Sequence, residues 1–338
     1  MQTLSLAMIV KDEARTLERI LDSARTFCDE LVVVDTGSTD DTVGIAQRCG
    51  ARVFHFAWVD DFSAARNFAF AQCTQDWIIW LDADDTLSEA ARTGLGDLKE
   101  TVLCRKDIDA VCLPYRAGRI VMSRERILRR SAGFRWTAPV HEVITVPAGR
   151  FVVQSEPVVE HAAHPDNLLR KKDRNLKILE RWHESASDLR LLYLYGSELL
   201  DHGRPAQASA VFESYLARRA PTEDVGERYW VMMKLADALK AQERYQEGLR
   251  WCAEAIQLDG RRGEAYCMMG FLFYEQALWD RAWPCFVAAA SLEPPATEKV
   301  ALPDFYDAMP RRFLALCFER LGRPEALRKR LVDLGGIL

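Results

Sequence analysis

Asp76-Trp77-Ile78-Ile79-Trp80-Leu81-Asp82-Ala83-Asp84-Asp85 is a short apolar run that stops at three carboxylates. It reads as a buried strand with an acidic tip. On an extended chain, side chains two apart face the same way, so Asp82 and Asp84 are expected to project together beyond the strand end. Hard carboxylate oxygens with no Cys or His nearby in sequence suit magnesium or manganese, ions that complete their shell with water and substrate phosphates. The same residues also suit a solvated turn in which Asp85 or Ser88 caps a helix over residues 89–99.

Working outward toward the N-terminus, strand and helix signals alternate with short connections. Strands are expected at residues 4–10, 30–34, 52–56 and 77–81, with helices at 14–25, 39–49 and 63–72 between them. Continuous apolar strands such as Leu31-Val32-Val33-Val34 suit a mostly parallel sheet covered on both faces, whose strand C-termini share one edge. Ligands of such sheets bind at that edge. Four polar clusters fall there: Lys11-Asp12-Glu13, residues 35–42, residues 60–67 and Asp82-Ala83-Asp84-Asp85. Asp35 at a strand end can accept from a nucleobase N–H or a ribose hydroxyl, and Gly37 lets the backbone approach closely. Arg66, one turn into its helix, can meet a base or a phosphate. Neither a G-x-G-x-x-G after the first strand nor a P-loop is present.

The 338 residues, 49% hydrophobic, allow two domains with proper cores. A net charge of −5 gives no basic face for nucleic acid or an anionic membrane. The opening ten residues lack a positive leader and run into Lys11-Asp12-Glu13, unlike a signal peptide. No run approaches the roughly 18 apolar residues of a membrane span. Nine cysteines without a C-x-x-C pair look like scattered small apolar residues, and a reducing cytoplasm is expected.

Met8-Ile9-Val10-Lys11-Asp12-Glu13, Val33-Val34-Asp35-Thr36-Gly37-Ser38-Thr39-Asp40, Asp61-Phe62-Ser63-Ala64-Ala65-Arg66-Asn67 and Trp80-Leu81-Asp82-Ala83-Asp84 resemble, in order and spacing, family 2 glycosyltransferases of the GT-A fold. Given the helical tail described below, the likeness is greatest to the branch with tetratricopeptide repeats, which includes the sublancin-type peptide S-glycosyltransferases. The resemblance implies an α/β, Rossmann-like GT-A domain over residues 1–165 and inversion at the transferred sugar. It implies that Asp35 reads a uracil, that Arg66 supports the nucleotide with Asp12, Gly37 and Ala83 close by, that Asp82 contacts the ribose, and that Asp84 holds Mn2+ or Mg2+. The first motif is more often Lys-Asn-Glu, and Asp12 stands in place of the Asn.

Residues 101–164 are β-rich, with strands expected at 110–115, 118–123 and 140–146. The run from Arg126 to Val140-His141-Glu142 resembles the family's stretch ending in His-Glu. On a strand, His141 and Glu142 face opposite ways, and Glu142 is taken as general base. The resemblance also implies a late histidine in the metal shell, assigned to His161 rather than His164; an imidazole mildly favours manganese. Residues 166–188 are expected to form a linking helix, and there Lys171 or Arg174 can neutralise a departing diphosphate.

From residue 189 to 338 the chain is helical and repetitive. Gly196, Ala236 and Gly270 align as the small residue of a first helix, followed at fixed offsets by Leu199, Leu239 and Phe273, by Ala208, Gly248 and Ala282, and by Phe212, Cys252 and Phe286. The offset from Ala236 to Gly270 is the 34-residue period of the tetratricopeptide repeat. Ala289 and Pro294 complete the third copy, and residues 310–334 form a degenerate fourth unit. The concave side of such a stack can take a peptide or a second subunit, a homodimer included. The expected function is transfer of a sugar from a UDP-sugar to a peptide or protein Ser, Thr or Cys, with a cell-envelope glycan or lipid as the alternative acceptor and a catalytically dead repeat scaffold as the alternative class.

Overall fold

Apolar strands too continuous to face water anywhere make the centre of the first unit. The computed structural model describes residues 2–118, 120–162, 173–183, 189–218, 225–294, 302–323 and 325. In it, β1 (Leu4–Val10) lies between β2 (Glu30–Asp35) and β4 (Trp77–Trp80), with β3 (Arg52–His55) outside β2, all parallel. Leu4, Leu6 and Met8 of β1 face a core shared with α1 (Leu17–Ala24), α2 (Thr42–Arg48) and α4 (Glu89–Thr101). Ala7, Val32, Val34 and Trp80 face the other core, under α3 (Phe62–Gln72). Burial on both faces explains why these strands show no polar alternation.

Beyond β4 the sheet changes direction. β7 (Ile120–Arg129) runs antiparallel to both β4 and β6 (Ala110–Ala117). β10 (Phe151–Val153) and β11 (Val159–His161) lie parallel to β6, and β5 (Asp85–Thr86) pairs antiparallel with β11. The last pairing sets His161 opposite Asp85. β8 (Trp136–Thr137) and β9 (Val143–Ile144) form a separate ribbon.

The strand expected at 140–146 shrinks to β9, because Ala138 and His141 sit at φ +74 and +51, outside any strand geometry. Alternation therefore cannot be what selects Glu142 over His141. The strand expected at 118–123 is instead part of the much longer β7, after Gly118 at φ +60.

After α5 (Arg174–Trp182) the chain is all helical: α6 (Leu189–Asp201), α7 (Pro205–Arg218), α8 (Val225–Lys240), α9 (Tyr245–Leu258), α10 (Gly263–Glu275), α11 (Trp279–Ala290) and α12 (Ala308–Arg320). Each helix from α6 on packs against the next, and α6, α8, α10 and α12 also touch in succession, as first helices of stacked repeats do. The small positions are steric. A methyl on Gly196 would come within 2.5 Å of the Phe212 ring, and one on Gly270 within 2.7 Å of Phe286. Most of the fourth unit's second half lies outside the described residues. The two compact units are Met1–Leu179 and Glu180–Leu338. The architecture is a mostly parallel α/β domain of GT-A type followed by an all-α tetratricopeptide array, and among the described residues no helix is long and apolar enough to cross a membrane.

Candidate active site

β4 ends at Trp80, and the chain turns at once. Asp85 N–H donates to Asp82 O, and Asp82 N–H donates to Asp85 Oδ2, both at 3.0 Å. This reciprocal turn cancels the strand alternation expected of Asp82 and Asp84: Asp82 reaches toward Arg66 while Asp84 lies beside His161. Asp85 is fully buried and does not cap the next helix, because Ser88 Oγ accepts from Ala91 N–H instead. Its partner is Arg126 on β7, whose guanidinium lies 3.8 Å from the Trp80 ring and 4.5 Å from that of Tyr115 and donates to Asp85 Oδ2 and to Trp80 O. A buried pair of this kind offsets part of the desolvation of both charges.

The other oxygen, Asp85 Oδ1, is buried without a hydrogen-bond partner, and so is His161 Nδ1. His161 Nδ1 lies 3.5 Å from Asp84 Oδ1 and 3.5 Å from Asp85 Oδ1. One ligand atom from each of Asp84, Asp85 and His161 falls within 4.8 Å of the others. Orphaned buried acceptors need an explanation, and a divalent cation fits this donor set of two carboxylates and an imidazole, manganese better than magnesium. The electrostatics agree. Contact with Asp85, against the opposing effect of burial and with Asp84 and Asp82 adding, raises the His161 pKa above its ordinary value. Burial pushes the Asp85 carboxyl up despite Arg126 and His161.

Arg66 occupies the middle of the site. α3 is capped by Asp61, which accepts from Ala64 N–H at 3.0 Å, and one turn later Arg66 lies 5.0 Å from both the Trp80 and Trp136 rings. Its Nη2 donates to Asp82 Oδ1 at 2.8 Å and its Nε to Glu142 Oε1 at 2.6 Å. Burial opposes the Arg66 charge, yet Asp82 and Glu142 raise its pKa well above the usual value. Burial also works against ionised Asp82, but Arg66, with Arg126 and His161 further off, holds that carboxyl down at about 2. The structure thus gathers Asp82, Arg66 and Glu142 into one chain of contacts, through a loop rather than a strand.

The loops after β1 and β2 clasp each other. Asp35 is buried and accepts from Gly37 N–H at 3.1 Å and Ser38 N–H at 3.1 Å, with Gly37 at φ +103. Asp12 sits at φ +54, takes Thr39 N–H on Oδ1 at 2.7 Å, and offers its own N–H to Ser38 Oγ. Asp tolerates that left-handed backbone, as Asn does, and both present a side-chain oxygen that a neighbouring N–H can use. His55 Nδ1 lies 3.5 Å from Asp35 Oδ2. Ala83 is buried inside the acidic turn.

Arg174 opens α5 with its guanidinium 4.6 Å from the Phe62 ring and its buried Nε without a hydrogen-bond partner. Burial lowers its pKa, against the fields of Glu142 and Glu13. Lys171 and His164 lie outside the described residues. Asp85, Arg126 and Trp136 are parts of the site that sequence reasoning missed. Asp85 had a signal in the unbroken acidic run, whereas Arg126 and Trp136 arrive from distant strands.

Residues 5–94 match glycosyl transferase family 2. Over 284 residues the chain is 34% identical to a TPR repeat-containing protein of Synechococcus elongatus, covering 76% of this chain and 68% of the relative. It is 28% identical over 211 residues to the glycosyltransferase SunS of Bacillus subtilis, covering 58% of this chain and about half (49%) of that one. Glucosyl-3-phosphoglycerate synthase of Mycobacterium tuberculosis, solved with Mn2+, uridine diphosphate and glucosyl-3-phosphoglycerate, is similar at 21% identity and a TM-score of 0.40, over 53% of this chain and 80% of that one. With the motifs and the helical array in place, the chain belongs to the family 2 glycosyltransferases that carry tetratricopeptide repeats.

Proposed function

We propose that this glycosyltransferase is metal-dependent and inverting, and that it moves a sugar from a UDP-sugar to a hydroxyl or thiol of a peptide or protein. The observation that carries the proposal is the Asp82–Arg66–Glu142 chain beside the cluster of Asp84, Asp85 and His161, in which Asp85 Oδ1 and His161 Nδ1 are buried without a hydrogen bond. The first three would set a nucleotide ribose and a base carboxylate at fixed distance, and the second three would hold the cation that offsets a diphosphate.

In this reading Asp35 accepts from the uracil N–H, Gly37 and Asp12 shape the loop beneath the base, and Asp82 accepts from the ribose with Ala83 beside it. Mn2+ or Mg2+, held by Asp84 and His161 with Asp85 added, supplies charge stabilisation for the leaving diphosphate when bound. Arg174, whose buried Nε has no hydrogen-bond partner, and Lys171 are assigned the task of offsetting part of the same charge. The acceptor oxygen or sulfur attacks the anomeric carbon, its proton passes to Glu142, and the C1–O bond to the diphosphate breaks with its electron pair going to UDP. One displacement inverts the anomeric configuration. The resemblance of the motifs to peptide S-glycosyltransferases and the repeat array support a peptide acceptor over a glycan or lipid. All nine cysteines are free thiols, which supports a reducing, cytoplasmic compartment.

The test is a panel of UDP-, GDP- and dTDP-sugars with Mn2+, read by thermal shift and by nucleotide release. UDP and one UDP-sugar are expected to raise the melting temperature in a metal-dependent way. A response to GDP rather than UDP overturns the assignment of Asp35.

A further inference from the structure

Asn67 follows Arg66 in the motif that opens α3, and nothing in the proposed reaction uses it. Its amide makes two bonds to one residue: Nδ2 donates to Trp136 O and Oδ1 accepts from Trp136 N–H, each at 2.9 Å. A neighbouring strand would bond β8 in the same way. From Trp136 the chain runs through residues 138–141 to Glu142, and this stretch holds Ala138 at φ +74 and His141 at φ +51. Neither residue has glycine's freedom in the left-handed region, and such conformations persist only where the surroundings over-determine them.

α3 supplies that restraint at three points. Phe62 N–H donates to Pro139 O at 2.8 Å, Arg66 Nε holds Glu142, and Asn67 holds Trp136. The first is a backbone donor that a side-chain change leaves in place, and the second already belongs to the site. Asn67 is the side chain that anchors the start of the segment. The same bonds fix Trp136, whose ring lies 4.9 Å from Trp80 edge-on and flanks Arg66.

We propose that Asn67 is a positioning residue, whose amide holds residues 136–142 in the conformation that presents the Glu142 carboxylate to the acceptor. The proposal rests on Glu142 as the base. It predicts that losing the amide loosens the segment and slows the chemical step while leaving the nucleotide site alone, because among the described residues the proposed nucleotide-binding groups meet Trp136 only through Arg66, which keeps Asp82.

Two variants test it: Asn67→Ala, which removes both bonds, and Asn67→Asp, which keeps the acceptor for Trp136 N–H but turns an oxygen toward Trp136 O. Three readouts apply. UDP affinity with Mn2+, by calorimetry, is expected to stay within about twofold of the parent, and amide hydrogen exchange over residues 137–142 to accelerate about tenfold or more. Hydrolysis of whichever of UDP-glucose, UDP-galactose and UDP-N-acetylglucosamine the parent cleaves fastest is expected to lose about 10- to 100-fold in kcat with KM nearly unchanged. In a Glu142→Gln background the Asn67 changes should cost nothing further.

Unchanged exchange together with unchanged kcat overturns the proposal, as does a full additional loss in the Glu142→Gln background. If both variants lose UDP binding, Asn67 supports the whole fold and the proposal also falls. Should Glu142→Gln alone leave kcat unaltered, the base assignment is what fails, and the exchange measurement still decides whether Asn67 anchors the segment. If none of the three sugars is cleaved, exchange over residues 137–142 with UDP and Mn2+ present decides: faster exchange in the variants supports the anchor, and unchanged exchange overturns it.

Discussion

Two acidic loops face the same edge of the sheet, and they are chemically opposite. In the loop after β2, Asp35 accepts from the Gly37 and Ser38 N–H groups, and Thr39 N–H donates across to Asp12 of the loop after β1. In the turn after β4, Asp85 Oδ1 and His161 Nδ1 are buried without a well-formed hydrogen bond, facing each other at 3.5 Å, and Asp84 crowds the same point. A satisfied carboxylate rigidifies its loop whether or not a ligand comes. Two buried carboxylates this close repel each other, and Arg126 and His161 offset only part of that repulsion until a cation arrives. Function is expected to weigh on the second loop, and stability on the first.

The strongest way to break that contrast is Asp84→Ala. Activity should fall to background, a loss of about three orders of magnitude or more if the cation supplies several kcal/mol to the leaving group. The metal-free melting temperature should be unchanged or raised, since a like charge leaves the cluster. A clear loss of metal-free stability would show that the acidic turn is structural after all.

Next in size is Glu142→Gln, which keeps shape and polarity but cannot take a proton. Turnover is expected to fall roughly 100- to 10,000-fold with UDP affinity held. The size of the loss also reports on the acceptor, because a cysteine is already a few per cent thiolate near neutral pH and depends less on a base. Near-full turnover with a hydroxyl acceptor would remove Glu142 from the base role.

Asp35→Ala sharpens the other side of the comparison. It removes the acceptor for two backbone N–H groups, so stability should drop by about 1 to 2 kcal/mol, and UDP binding should weaken by more than about 1 kcal/mol if a base donor is left unpaired. Denaturant unfolding and calorimetry separate the two effects. Stability equal to the parent would show that the Asp35 bonds do not hold the loop.

The smallest effect belongs to Asp12→Asn. Asn accepts the φ of +54 and still offers an oxygen to Thr39 N–H, so both stability and UDP affinity should move by less than about 0.5 kcal/mol. Asp12→Ala, which has neither property, should lose measurably more.

What can be read from residues alone follows the range of the interactions. The strand Leu4–Val10 forms at the bounds its sequence implies, because seven consecutive largely apolar residues need only a sheet covered on both faces. The helix expected from residue 14 starts at Leu17 instead, since the N–H groups of Asp12, Glu13 and Ala14 are taken by the side chains of Ser38, Thr42 and Asp40 from the neighbouring loop. No pattern local to residues 11–16 contains that clasp. The repeat register is legible because Gly196 and Gly270 are forced small by Phe212 and Phe286 at fixed spacing.

The site is legible in its motif residues and not in its wiring. Strand alternation puts Asp82 and Asp84 on one side, but the turn closed by Asp85 sends them to different partners. Asp85 looks like cap chemistry, and only the β5–β11 pairing, which brings His161 from far along the chain, reveals it as part of the cluster. Arg126 lies in a run rich in arginine, yet it is almost wholly buried, against the Trp80 and Tyr115 rings. The alternation that singles out Glu142 is abolished by the positive φ of His141, and contact with Arg66 is what keeps Glu142 in the site.

The contrast between the loops reduces to one measurement: calorimetric titration of UDP into the parent and Asp84→Ala proteins, each with and without Mn2+. The parent is expected to bind UDP at least about tenfold more tightly with Mn2+ present, a difference of about 1.4 kcal/mol, and Asp84→Ala to show the same weak affinity in both buffers. Equal UDP affinity with and without Mn2+ in the parent, or a Mn2+ effect that survives in Asp84→Ala, would contradict the assignment of the Asp84–Asp85–His161 cluster as the cation site.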